Sequence, residues 1–309
     1  MSELSTGNLP DHKIRVLALA ALLMAFILVV AGGLVTSRDA GLAVPDWPLS
    51  YGGINPPRWY EIDNVRTEHG HRLIAASVAV VTCLLGLALY RNDNRKYART
   101  LGLAAIAAVL AQALMGGLRV IWLSLDLAMV HGWFGQAFFG ILAAIVTVTS
   151  PSWVNDEALE DHTPLQRPGV VVLSLIGLQL AIGVFLRHMP GSAGVLEHPL
   201  FYLHLLIGLS VLFASLRLAR QASRTGGPAG RTTRRLCGLL WLQVGLGLAT
   251  ATLLQLSGQE GSTELALSWL PTLHVAVGAG ALGLAVAGLL YAYRLPLQRD
   301  EQLAVERHW

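Results

Sequence analysis

Eight stretches of this chain are each long and apolar enough to cross a bilayer, and that repeated length restricts the fold more than any other feature. They run over residues 14–35, 68–90, 98–118, 127–148, 169–186, 198–218, 236–256 and 266–293. A span needs about 20 mostly apolar residues, because the hydrocarbon core is about 30 Å thick. Backbone groups inside it find no water and must bond within their own segment, which selects helices. Only 13% of the residues are charged, where a soluble domain carries about a quarter. The expectation is an all-α integral membrane protein of eight transmembrane helices. The first run follows Lys13 and Arg15, as a signal peptide would. It exceeds an h-region of about 7–15 residues and ends in Gly32-Gly33-Leu34-Val35 without a small-residue cleavage site, so it reads as a retained helix.

The Lys and Arg residues lie between the apolar runs, where they set topology, and this excludes nucleic acid as a partner despite the formal net charge of +3. With the N-terminus inside, sixteen basic residues fall on the inner side. Six fall outside: Arg38, Arg58, Arg66, Arg72, Arg119 and Arg187. Both termini are therefore expected in the cytoplasm of a cell (inner) membrane protein. Cys83 and Cys237 both lie within apolar runs, so neither suits a loop disulfide and no zinc or iron–sulfur ligand set exists.

A polar stretch with Pro151 and Pro168 at its ends divides the chain at its middle. The expected organisation is an N-terminal four-helix bundle over 1–150, a cytoplasmic linker over 151–168 and a C-terminal four-helix bundle over 169–309. The halves repeat each other. Odd-numbered helices carry Gln followed by small residues: Gln112 with Gly116 and Gly117, Gln179 with Gly183, Gln243 with Gly245 and Gly247. Even-numbered helices carry one His near the outer start: His71, His131, His204 and His274. This is the pattern of a duplicated unit in two pseudo-symmetric bundles. The glycines read as close helix-packing positions, and the glutamines as interhelical hydrogen-bonders or pocket-lining groups.

An ionisable residue within a span is costly and marks function by default. Four imidazoles, one per even helix at one depth, form two pairs across two bundle interiors: His71 with His131, and His204 with His274. Neutral imidazole suits iron, and a pair across a bundle core suits axial ligation of a heme. Zinc would want three or four ligands per site. A proton relay uses His equally well but does not account for two symmetric pairs.

The second helix opens Glu68-His69-Gly70-His71-Arg72. Glu68 lies one turn before His71 and shares its face, whereas positions 128, 201 and 271 on the other even helices are Ala, Phe and Pro. The two bundles are thus chemically unequal. Arg72 suits a heme propionate, a lipid phosphate or a snorkelling position. His69 points away from His71 and reads as an interfacial bystander. The long outer loop 36–67 contains Pro45-Asp46-Trp47-Pro48 and Tyr51-Gly52-Gly53 and reads as a rigid turn, either a lid over the first pocket or an interfacial anchor.

In these residues the chain resembles the heme A synthase family. The resemblance rests on Gly32-Gly33-Leu34-Val35, Gly41-Leu42, Pro45-Asp46-Trp47-Pro48, Glu68-x-x-His71-Arg72, and on His131, His204 and His274. It implies heme b held by His204 and His274. It further implies heme O as substrate at His71 and His131, with Arg72 beside it, and oxidation of its C8 methyl to a formyl group with Glu68 as the catalytic acid. The expected partners are heme O, heme O synthase as its source, an electron donor of unidentified kind and membrane lipid, with a homo-oligomer compatible. Some members carry a cysteine pair in an outer loop, which 188–197 lacks, and Thr36 stands where many have Arg, so a propionate contact there is either absent or supplied by Arg38. Two other readings remain open from the residues alone, a diheme b-type electron carrier and a proton or metal transporter.

Overall fold

The computed structural model describes residues 12–154, 163–188, 197–224, 227–256 and 264–306. The elements are α1 (His12–Ser37), α2 (Asp63–Asn92), α3 (Lys96–Ile121), α4 (Leu125–Val148), the single-turn α5 (Pro151–Val154), α6 (Thr163–His188), α7 (Pro199–Ala222), α8 (Gly227–Leu256) and α9 (Glu264–Glu306). A 3-10 turn, Trp59–Glu61, lies in the loop between α1 and α2. Eight of these helices, all but α5, are long and apolar enough to span a membrane, and the chain is a multi-pass membrane protein. Seven contain their expected run and extend past it at one end or both, and α7 starts one residue inside its run, with His198 as the cap, and extends past its end. The apolar core of a run fixes where lipid is crossed, and the helix continues until a cap ends it. Ser124 caps α4 by accepting the Leu127 N–H at 3.2 Å, and His198 caps α7 with Pro199 in the first turn. Helix α8 starts well before its apolar run, carrying Arg231, Arg234 and Arg235, while Thr232 and Thr233 bond to carbonyls one turn back.

In the first half α1 neighbours α2 and α4, and α3 closes the ring between them; α2 and α4 stand diagonally opposed. In the second half α6, α7, α8 and α9 repeat this ring, with α7 and α9 diagonal. The halves meet along α4 and α9, flanked by α1 against α9 and α4 against α6. Such a neighbour order agrees with duplication of a four-helix unit. Gly86 and Gly102 allow the closest backbone approach in the first ring; a Cβ on Gly86 would stand 2.7 Å from the Gly102 carbonyl oxygen. Large apolar side chains such as Leu23, Val80, Leu206 and Phe213 face outward, as lipid-facing surfaces require.

The helix ends away from the four histidines are tied by polar contacts. Trp153 of α5 is buried against Tyr291, its ring centroids 5.7 Å apart, and Arg294 stacks over it at 5.2 Å. Arg95 donates to the Val148 carbonyl at 2.9 Å and holds Asp93 by side-chain bonds of 2.9 and 2.6 Å. Burial alone would raise the Asp93 carboxyl, but the Arg95 bonds, with the charges of Arg95 and Arg99, hold it below its ordinary value. The expected linker thus begins as ordered helix and ends inside α6; its residues 155–162 lie outside the described residues, as do 189–196 of the outer loop read as cysteine-free.

Candidate functional site

His71, His131, His204 and His274 sit on α2, α4, α7 and α9, the diagonally opposed helices of the two rings. Each ring edge rests on a glycine of the preceding helix. A Cβ on Gly32, Gly116, Gly183 or Gly247 would stand 3.1, 3.1, 3.1 or 2.9 Å from Cε1 of His71, His131, His204 or His274 respectively. These glycines therefore serve as sockets for imidazoles, which refines their reading as helix-packing positions. Gly32 joins them as the fourth member, which the Gln-plus-glycine pattern had not marked. In all four histidines Nδ1 is buried and unpartnered. Each glycine meets the ring at its Cε1–Nδ1 edge, so Nε2 is the nitrogen farther from the socket.

The second pair is the tighter test of fit. The His204 and His274 ring centroids lie 6.2 Å apart. Two metal–nitrogen bonds of about 2 Å each, extended to the ring centres, span about 6 Å. The pair is thus spaced for one ion with an imidazole on either side, as in bis-histidine heme ligation. Gln243 Nε2 lies 3.3 Å from His274 Nε2, and Gln112 Nε2 donates to the His131 carbonyl at 3.2 Å.

The first ring carries a cover. Residues 41–53 fold over the start of α2 and the end of α3. Arg72 donates to the carbonyls of Val44 (3.0 Å), Asp46 (2.7 Å) and Leu49 (3.0 Å), and pairs with Glu68 at 2.6 Å. Glu68 is buried, and its other oxygen accepts the Val44 N–H at 2.8 Å. Trp47 lies directly on Gly117, where no side chain larger than hydrogen fits, and Arg119 donates to the Gly41 carbonyl at 2.5 Å. A two-residue turn at Tyr51 and Gly52, with φ of 50° and 76°, is closed by Ser50–Gly53 bonds of 2.8 and 3.1 Å. Asp46 accepts both turn amides at 2.7 Å. These bonds, that of Gly52 foremost, hold the Asp46 carboxyl below the usual range.

The lid reading of the loop thus has a physical basis, and two residue readings change. His69 is buried, with Nδ1 2.9 Å from the Ser50 hydroxyl and its ring 4.8 Å from that of Trp59; the loop covers the face that sequence placed at the interface. Glu68 turns both oxygens to Arg72 and the loop. Thr36 bonds back to Gly32, and Arg38 reaches Thr67 at 3.3 Å. Sequence reasoning passed over Arg119 and Arg187. Arg187 crosses between the halves, donating to Gly33 (2.6 Å), Ser37 (2.6 Å) and Pro271 (3.1 Å). Its only signal in sequence is an arginine a few residues beyond the glycine socket, a position Arg119 also occupies.

Fold and site together define a multi-pass membrane protein with four histidines on the diagonally opposed helices of two rings, the first ring roofed. Comparison with known proteins narrows this. The family model described as "Cytochrome oxidase assembly protein" matches residues 11–143. The chain is 31% identical over 162 residues to the heme A synthase of Geobacillus kaustophilus, covering 50% of each chain. It is 34% identical over 116 residues to that of Methylobacterium nodulans, 34% of this chain and 32% of the relative. With that of Staphylococcus haemolyticus it shares 27% over 182 residues, 56% of this chain and 58% of the relative. On these matches the chain is similar to heme A synthases over roughly its N-terminal half, and it spans about half the length of the curated relatives it matches.

Proposed function

We propose that this protein is a heme A synthase, an oxidoreductase that takes heme O between His71 and His131 and converts its C8 methyl to a formyl group. His204 and His274 would hold heme b as the resident cofactor. The observation that carries the reading is the set of four imidazoles, each seated in a glycine socket with Nδ1 unpartnered and paired across a ring, with 6.2 Å between the second pair. Bound heme b supplies one-electron chemistry. The chain's residues supply the rest. His71 and His131 orient the substrate, and the loop over 41–53 excludes water from the reacting edge. Glu68, on the roofed side alone, holds the negative charge that a developing cation or a departing proton requires. Arg72 and the Val44 N–H keep its carboxylate in place. A diheme carrier would have no use for this inequality between the halves. Orientation with both termini in the cytoplasm of the inner membrane puts the roof outside, as the basic residues require.

The test is co-expression with a heme O source, followed by extraction and chromatography of the hemes. Heme A is expected from the unaltered protein and should be lost in His71→Ala and His131→Ala. His204→Ala and His274→Ala should each lose the resident low-spin b-type spectrum. A colourless preparation, or heme O left untouched by the unaltered protein, overturns the reading.

A further inference from the structure

Three of the four histidines share a second feature, and the fourth lacks it. One turn before Gly116, Gly183 and Gly247 stand Gln112, Gln179 and Gln243. One turn after His131, His204 and His274 stand Gly135, Gly208 and Gly278. Each glutamine amide fills the room its opposite glycine leaves: a Cβ on Gly135, Gly208 or Gly278 would come within 3.3, 3.0 or 3.2 Å of the amide nitrogen of Gln112, Gln179 or Gln243. The side-chain carbonyl oxygens of the three glutamines are buried and unpartnered. In the quarter of His71 both members change together: Leu28 replaces Gln, and Ala75 replaces Gly. Leu28 packs against the apolar core of the first ring, and Ala75 carries a methyl at the position where the other three quarters have none.

Resting on the reading above, we infer that His71 is the exchangeable ligand of the first bundle, while Gln112, Gln179 and Gln243 are positioning residues that hold the other three imidazoles. An amide packed on a ligand's helix and backbone restricts the ring, and partners of this kind are worth about 10–100-fold in metal affinity. A resident cofactor needs both its ligands fixed, and the second bundle has an amide at each. A substrate that must enter and a product that must leave need one ligand that lets go. His71 is that ligand by construction, and it lies on the helix that carries Glu68, Arg72 and the anchored loop. The departure from the repeat is therefore placed where turnover demands it.

Hemin is the probe, loaded to saturation onto the full-length protein in detergent, with transfer to excess apomyoglobin followed by absorbance. Two hemins per chain and two phases are expected, the fast phase abolished by His131→Ala. Leu28→Gln combined with Ala75→Gly should slow the fast phase about tenfold and raise the low-spin fraction of the first-bundle hemin, leaving the slow phase alone. Gln243→Leu should speed the slow phase by a similar factor. Gln112→Leu gives the reciprocal test in the first bundle without altering the α1–α2 contact, and should speed the fast phase. Two hemins per chain with unaltered rates and spin state in these variants overturn the inference and leave the site reading intact. A load unaffected by His131→Ala overturns the site reading and the inference with it.

Discussion

Glu68→Gln should loosen the roof of the first bundle as well as lower its activity. The carboxylate serves two donors from two oxygens, the Arg72 guanidinium at 2.6 Å and the Val44 N–H at 2.8 Å. The side chains of the pair are only 17% and 4% exposed, so water replaces little of what is lost. A glutamine has one acceptor oxygen, and satisfying either donor turns its NH2 toward the other. One charge-assisted bond at about 1.5–3 kcal/mol is lost, and a buried donor is left facing a donor. Arg72 keeps its three loop carbonyls, which limits the damage. The expected cost is about 3 kcal/mol, or roughly a hundredfold in the opening equilibrium of the loop. Hydrogen exchange reads this directly: protection of the Val44 amide should fall by about that factor while the amides of α7 stay unchanged. Glu68→Asp should keep the charge but lose the reach to one donor, giving a smaller loss. Unchanged exchange at Val44 in Glu68→Gln, with heme A formation abolished, would refute the structural argument and leave Glu68 with a purely chemical role.

Three further outcomes follow from particular contacts. Gly247→Ala places a Cβ 2.9 Å from His274 Cε1 and should diminish the low-spin b-type spectrum, whereas Gly245→Ala, with nothing within 4 Å, should leave it unchanged; equal spectra in both variants would remove the socket interpretation. Asp46, its carboxyl held below the ordinary value by the Gly52 and Tyr51 amides, contributes loop order that is present above its unfolded pKa of about 4 and lost as pH falls through its folded value. Trp47 emission should accordingly be flat from about pH 5 to 8 and change only below about pH 4, and a transition near neutrality would mean another group controls the loop. A reporter fused after Trp309 should be active only if it is a cytoplasmic type, since six of the basic residues lie on the opposite side from the other sixteen.

The spans and the four histidines were legible because their signals are local. Hydropathy over about 20 residues decides a span without reference to neighbours, and an imidazole within such a run is conspicuous in itself. The repeat pattern was legible for the same reason, as a recurrence of Gln, Gly and His. The roof was not. Three of the acceptors of Arg72 are main-chain carbonyls 23 to 28 residues away, and a carbonyl leaves no mark on sequence. Helical periodicity put Glu68 and His71 on one face, yet the two oxygens of Glu68 go to the loop amide of Val44 and to Arg72. His69 was misread for the mirror-image reason: its face of α2 meets neither lipid nor water but Ser50 and Trp59.

Glycine shows most clearly where sequence reading ends and structure begins. In a membrane helix a small residue reads as a place where backbones touch, and Gly86 and Gly102 do that at the α2–α3 crossing. Gly32, Gly116, Gly183 and Gly247 occupy similar apolar surroundings, but what each meets is the Cε1 edge of a histidine. Gly135, Gly208 and Gly278 meet a third kind of neighbour, the amide of a glutamine. Hydropathy cannot separate these three uses, because the missing Cβ is the same in each. What separates them is the residue on the facing helix, and that pairing is fixed only when the ring order of the bundle is known. Once it is known, spacing becomes informative: Gln and Gly on one helix must face His and Gly on the next, four residues apart on both. A departure from that register, such as Leu28 opposite Ala75, then stands out as a local change of purpose within an otherwise repeated frame.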